Sequence, residues 1–293
     1  MELLSTVISG ISLGGIYALI ALGYTMVYGI AKMLNFAHGD VIMVGAFMMF
    51  TAMTKMGFPP FACIIFGTVI CTILGMLIEK IAYKPLRSAT SLSVLITAIG
   101  VSYFLQNSAQ LIFGAGTKQF TPLFGNGNIA LFDGQVVISY NTIVTIVISI
   151  VLMLVLTLFI NKTKTGRAML AVSEDKGAAQ LMGINVNKTI SITFAIGSAL
   201  AAIAGALLCS SYPVLSPTTG AMPGIKAFTA AVFGGIGSIP GAMIGGILLG
   251  LIENLSKVYI STQLSDAIVF GILILILLVK PTGILGKKIN EKV

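Results

Sequence analysis

The sequence has no tryptophan, one histidine, and charged residues at only 9% of its 293 positions. A soluble domain carries about 25%. So little charge cannot cover the surface of a soluble fold this size, which excludes a cytosolic enzyme, a nucleic-acid-binding domain and a disordered chain. Cysteine is scarce too: Cys63, Cys71 and Cys209 lie inside apolar stretches with no CxxC spacing and no nearby histidine. Neither a disulfide framework nor a zinc site is expected. No GxxxxGK[ST] run occurs, so the chain carries no nucleotide-binding loop of its own. No basic stretch precedes the first apolar run, so no cleavable signal peptide is expected. Without tryptophan, tyrosine and phenylalanine must supply any aromatic belt at a membrane surface.

What the sequence does have is apolar length. Hydrophobic residues make up 57% of the chain and mean hydropathy is +1.04, which places the chain in a bilayer. The stretches free of charge are Leu3–Ala31, Val41–Thr54, Met56–Ile78, Ser88–Thr117, Gly134–Asn161, Thr189–Ile225, Ala227–Ile252 and Ala267–Val279. A spanning helix needs roughly 20 residues. The expectation is an all-α polytopic membrane protein of about nine segments, between eight and ten, some of them broken or re-entrant. Residues 1–293 then form a single transmembrane domain.

Basic residues orient it. Lys32; Lys80, Lys84 and Arg87; Lys162, Lys164, Arg167, Lys176 and Lys188; and Lys280, Lys287, Lys288 and Lys292 fall on one side. Only Lys55, Lys118, Lys226 and Lys257 fall on the other. The positive-inside rule makes the first side cytoplasmic, with the N-terminus outside and the C-terminus inside. The loop at 114–140, containing Pro122, Asn126, Asn128 and Asp133, is then extracytoplasmic. An eight-segment alternative, with Phe36–Thr54 re-entrant, moves only the N-terminus.

Three polar or small-residue patterns interrupt the apolar text. Gly10-xxx-Gly14, Gly241-xxx-Gly245 and Gly246-xxx-Gly250 read as flat stripes for close helix packing. Two segments break the pattern outright, Leu34-Asn35-Phe36-Ala37-His38-Gly39-Asp40 and Phe233-Gly234-Gly235-Ile236-Gly237-Ser238-Ile239-Pro240-Gly241. Broken helices at depth must be buried in protein or line a cavity, and in transporters they often border a substrate site. Asn35, Phe36, His38, Gly39, Asp40, Gly234, Gly235, Gly237 and Ser238 are therefore candidate path residues. The plainer alternative is an interfacial turn with Asp40 as N-cap of the next helix. Gln106 and Gln110 share a helical face and read as interhelical hydrogen-bond glue, with Asn107 beside them. Glu253, near the outer end of its span, reads as an exposed helix end.

The longest cytoplasmic stretch, 161–188, reads as two short helices, Arg167–Val172 and Lys176–Met182, around Ser173-Glu174-Asp175, with Gly183 as a stop. Its small, apolar surface suits docking to a cytoplasmic partner better than lying on lipid.

These residues resemble the membrane permease subunits of ABC importers for branched-chain amino acids, over essentially the whole chain and most closely the LivH-type subunit. The resemblance rests on Leu34-Asn35-Phe36-Ala37-His38-Gly39-Asp40 with Gly45-Ala46. It rests also on Arg167-Ala168, Asp175, Ala178-Ala179 and Gly183, and on Ala227-Phe228 with Phe233-Gly234-Gly235-Ile236-Gly237-Ser238, Gly241-Ala242 and Gly245-Gly246. One departure is clear: Gly177 stands where the wider importer motif has glutamate before the paired alanines.

The resemblance implies a pore shared with a homologous permease in the inner membrane. It implies two ATPases docked at Arg167, Ala168, Asp175, Ala178, Ala179 and Gly183, and an extracytoplasmic binding protein that delivers leucine, isoleucine or valine. ATP and magnesium would belong to the ATPase subunits; this chain would hold no cofactor and would not itself be an enzyme. Related permeases carry urea or short amides. An ion-coupled transporter or channel is the rival class. It usually needs acidic residues in mid-membrane, whereas Asp40, Glu79, Glu253 and Asp266 fall near the expected span ends. A membrane enzyme is disfavoured because no nucleophile–base pair or metal-ligand cluster appears.

Overall fold

A computed structural model describes residues 2–125, 127–131 and 136–286. Asn126 and Asp133 of the loop at 114–140, and Lys287, Lys288 and Lys292 of the C-terminal basic group, lie outside the described residues. The described chain forms helices α1 (Glu2–Ala31), α2 (His38–Lys55), α3 (Pro60–Ile78), α4 (Ser91–Phe113), α5 (Tyr140–Lys162), α6 (Lys164–Glu174), α7 (Lys176–Leu181), α8 (Val186–Ser211), α9 (Ala221–Gly234), α10 (Ile239–Tyr259) and α11 (Ser265–Val279). Four short strands complete it: β1 (Lys118–Gln119), β2 (Asn128–Leu131), β3 (Val136–Ser139) and β4 (Val214–Leu215). β1 pairs antiparallel with β4, and β2 with β3.

The local signals explain where helices start and stop. Thr90, Ser139, Thr163, Asp175, Asn185 and Ser238 cap α4, α5, α6, α7, α8 and α10 through their side-chain oxygens. Pro60 and Pro240 sit in first turns, where a missing N–H costs nothing. Six helices are long and apolar enough to cross a membrane: α1, α3 with its extension to Leu86, α4, α5, α8 and α10. Residues His38–Thr54 and helix α11 are shorter apolar pieces, and α9 has only 14 residues. Six of the nine expected segments are thus full-length spans.

The two ends of the bundle are distinct. At one, the strands gather around the start of α1 and the end of α8: Ser9 and Ser12 share a cleft with Ser139, Ser211 and Tyr212. At the other lie α6 and α7, where Lys176 Nζ donates to the Ala31 carbonyl at the end of α1, at 2.8 Å. The loop at 114–140 and the segment at 161–188 therefore occupy opposite ends. α1 runs from the strand end toward α7, and α8 runs back.

That antiparallel pair organises two halves of inverted topology. α1 packs on α10, and α8 packs on α3; α9 packs on α1, and α2 on α8. Within each half, α2 contacts α3 and α4, as α9 contacts α10 and α11. One constant interval in the numbering separates Tyr17 from Ser191, Gly23 from Gly197 and Glu79 from Glu253, and each pair occupies matching positions. Each half thus inserts its first helix against the other half's third.

Glycine makes this possible. A methyl group at Gly14 would lie 2.7 Å from the Ile247 Cα, and one at Gly250 would overlap the Gly14 backbone. The first-span and α10 glycine stripes therefore fit each other, as small-residue helix packing requires. α1 and α8 are the most enclosed spans; α3, α4 and α5 are largely open on one side.

Candidate functional site

α2 and α9 are short helices that begin inside the bundle, and their first turns meet. A methyl group at Gly39 would lie 2.6 Å from the Gly220 carbonyl oxygen, and one at Gly224 would lie 2.8 Å from the Gly39 Cα. No side chain longer than hydrogen fits that crossing. His38 is buried, its ring edge-on to Tyr24 at 4.8 Å. It fills the space that Gly23 leaves, since a methyl there would overlap the imidazole. Phe36 stacks obliquely on Phe228 of α9 at 5.2 Å. Asn35 Oδ1 accepts from the Tyr83 hydroxyl at 2.9 Å. Tyr83 ends a π-helical turn, Glu79–Tyr83, that extends α3.

Asp40 is not the N-cap of α2. The helix starts two residues before it, with Ala37 in the cap position and no side-chain cap. The Asp40 carboxylate instead turns sideways and accepts from Gln106 Nε2 of α4 at 2.8 Å. Gln106 is thus interhelical glue, as its place in the apolar text suggests. Asn107 donates to Tyr103 O of its own helix.

The second break, Gly235–Ser238, lies at the far end of α9, about 20 Å along the helix from the first. Gly235 and Gly237 have φ of 107° and 91°, conformations open chiefly to glycine. The chain at 284–285 docks there. Ile284 N donates to Phe233 O and Leu285 N to Gly234 O, each at 2.9 Å, which satisfies carbonyls at the end of α9. Ser238 Oγ accepts from Gly241 N at 3.2 Å. Gly237 faces Gly29 of α1 and lines a cleft of about 40 Å³ with Thr25, Met169 and Ser173. Asn35, Phe36, His38, Gly39 and Asp40 therefore gather at one end of α9, and Gly234, Gly235, Gly237 and Ser238 at the other. The structure places them as two neighbourhoods joined by one short helix.

Glu253 is not an exposed helix end. It is 1% exposed. Its Oε2 accepts from the Tyr17 hydroxyl at 2.8 Å, and its Oε1 accepts from Lys226 at 2.8 Å and Lys257 at 2.6 Å. Lys226 also pairs with Asp266 at 2.6 Å. This cluster ties α1, α9, α10 and α11 together. Lys226, counted among the outer loop charges, is therefore inside the bundle. Glu79 is likewise buried, held by Arg87 and by the Ser191 hydroxyl of α8. Asp40 and Glu79 stand at helix ends and Glu253 within two turns of one, as the sequence suggests, but all three are buried, which corrects the exposed end read for Glu253. Each has a partner, so none is a free carboxylate.

The α6–α7 pair takes the form its sequence suggests. Asp175 Oδ1 accepts from Ala178 N at 3.0 Å to cap α7, and Gly183 ends it with φ 81°. Met169, Val172 and Ala179 are buried against the chain, whereas Arg167 and Ala178 are exposed and Ala168 is half-buried. Ala179 therefore serves packing inside this chain. The segment's most exposed apolar residues are Leu181 and Met182, at 89% and 82%. Burial, reinforced by the Arg87 and Lys32 cations, holds the Lys176 ammonium below the usual lysine range. Its link to Ala31 O joins α7 directly to α1.

A profile of the family described as "Branched-chain amino acid transport system / permease component" matches residues 6–277. The high-affinity branched-chain amino acid transport system permease protein LivH of Escherichia coli is 46% identical over 300 residues, covering 99% of this chain and 97% of that protein. The corresponding BraD protein of Pseudomonas aeruginosa is 46% identical over 301 residues, covering 99% and 98%. The chain belongs to this permease family. A probable LivH of Methanocaldococcus jannaschii is 33% identical over 92% of the chain and 88% of its own length. This permease is accordingly an all-α, multi-pass membrane protein and a transport component.

Proposed function

We propose that the chain is the pore-forming permease subunit of an ATP-driven importer for leucine, isoleucine and valine, seated in the inner membrane with its C-terminus in the cytoplasm. Its near full-length 46% identity to LivH and BraD supports the substrate class. A homologous permease completes the pore, and an extracytoplasmic binding protein delivers substrate at the strand end. The energy comes from two partner ATPases, because the sequence carries no phosphate-binding loop.

The observation that carries ATPase docking is the pair Leu181 and Met182, apolar and almost fully exposed on a segment beyond the spanning helices. Bare aliphatic side chains outside the bilayer mark a partner surface. Exposed Arg167 and Ala178, half-buried Ala168 and the Asp175-capped turn belong to the same helix pair. Lys176 carries displacement of α7 to the end of α1. α1 in turn contacts both broken-helix neighbourhoods, at Gly23 and at Gly29, so the path residues lie where that displacement arrives.

Leucine uptake into proteoliposomes holding the permeases and ATPases tests this reading. Uptake should require both ATP and binding protein, and excess isoleucine or valine should compete. Uptake driven by a proton or sodium gradient without ATP would overturn it.

A further inference from the structure

We propose that the groove between α1 and α5 is a hydrated pocket, open at the strand end, that takes water and small neutral hydrogen-bonding solutes. It begins as a cleft of about 140 Å³ lined by Ser9, Ser12, Ser139, Thr142, Ser211 and Tyr212. That volume is about four to five waters.

Behind the residues that line the cleft, a further polar face runs inward along α5. Asn141, Thr145 and Ser149 are spaced four apart and so share one face, and all three are buried. Below them the same face turns apolar with Met153, Leu156 and Ile160. Ser149 lies directly against Gly15 of α1, one turn from the cleft residue Ser12.

Asn141 Oδ1, Thr145 Oγ1, Ser149 Oγ and Ser211 Oγ are buried with no hydrogen-bond partner among the described residues. Many helical hydroxyls elsewhere in this chain avoid that state by turning back onto their own helix, although Thr25 and Thr68 do not. Thr157 donates to Met153 O and Thr193 to Thr189 O, each at 2.8 Å. Thr145 and Ser149 do not. Four orphaned oxygens in and behind a polar cleft call for water or a solute with donors to spare. Among the described residues no Asp, Glu, Lys, Arg or His lines the cleft, so no charged group there offsets the desolvation of an ion, and the occupant is neutral.

Thiol reactivity tests the pocket without reading transport, so its outcome is separate from that of the importer reading. Thr145→Cys and Ser149→Cys are made singly in the full chain, with Cys63, Cys71 and Cys209 replaced by alanine. The thiolate, which forms where water reaches, attacks the sulfenyl sulfur of methyl methanethiosulfonate, forming a methyl disulfide and releasing methanesulfinate. Both cysteines should react at least about tenfold faster than Thr193→Cys, whose site is equally buried but back-bonded. Rates equal to that control would overturn the proposal. A second measurement covers poor folding of the cysteine variants. Replacing Thr145 by valine and Ser149 by alanine together should leave the melting temperature in detergent unchanged or lower, because hydrated hydroxyls are already satisfied. A rise would mean that they are dry and unpaired, and would equally overturn the pocket.

Discussion

The two buried glutamates, Glu79 and Glu253, occupy matching places in the inverted halves but are held differently. Each lies on the third helix of its half and takes a hydroxyl from the other half's first helix, Ser191 for Glu79 and Tyr17 for Glu253. Each half also ties its short broken helix to its last helix, through Asp40–Gln106 in one and Lys226–Asp266 in the other. In the second half these contacts merge, because Lys226 reaches Glu253 as well. In the first half they stay apart: Glu79 turns to Arg87. The difference teaches that α9 is bound into a charged four-helix cluster, while the side-chain tie from α2 to α4 is a single amide. We expect α2 to be the more mobile of the two short helices.

The largest effect should come from opening the charged cluster. Glu253→Ala orphans the Tyr17 hydroxyl and leaves Lys226 with only Asp266, at a cost of about 3–5 kcal/mol, read as a lowered melting temperature in detergent. Replacing both charges, Glu253→Leu with Lys226→Met, should recover most of that loss, because no buried charge is then left unpaired. If the single and double variants melt alike, the cluster is not the anchor of α9.

Glu79→Ala should cost less, about 1–3 kcal/mol, because the Arg87 it releases reaches solvent. Equal losses at Glu79 and Glu253 would erase the asymmetry between the halves. Gln106→Leu removes the amide donor from buried Asp40, for about 1–2 kcal/mol. Hydrogen exchange in that variant should rise in α2 before α9; the reverse order would contradict the comparison.

Ala178→Glu should change stability least, by under about 0.5 kcal/mol, since the site is exposed. Ala179→Glu should destabilise the chain, because that neighbour is buried within it. Equal melting temperatures for the two would show that α7 presents another face.

Much of the fold was legible in the sequence because lipid imposes a simple grammar. Charge-free runs became helices, glycines four apart became helix crossings, and both broken segments are breaks. The cap at Asp175 and the stop at Gly183 were readable because capping is local. The burial of Glu253 was not: Lys257 lies one turn on in the same helix, but Tyr17 and Lys226 come from other helices, and no local pattern announces that meeting. Asp40 misled for the same reason, since Gln106 lies on another helix. In α7 the paired alanines looked alike, and only packing separates buried Ala179 from exposed Ala178. Leu181 and Met182 could have been found earlier as two apolar residues stranded in a charged stretch between apolar runs.

The claim that α7 is where ATP energy enters is tested most directly by recovering the ATPase with a tagged permease carrying Leu181→Asp and Met182→Asp. The account predicts that the variant reaches the membrane in normal amount and brings down almost no ATPase. Recovery equal to that of the unaltered chain would contradict it.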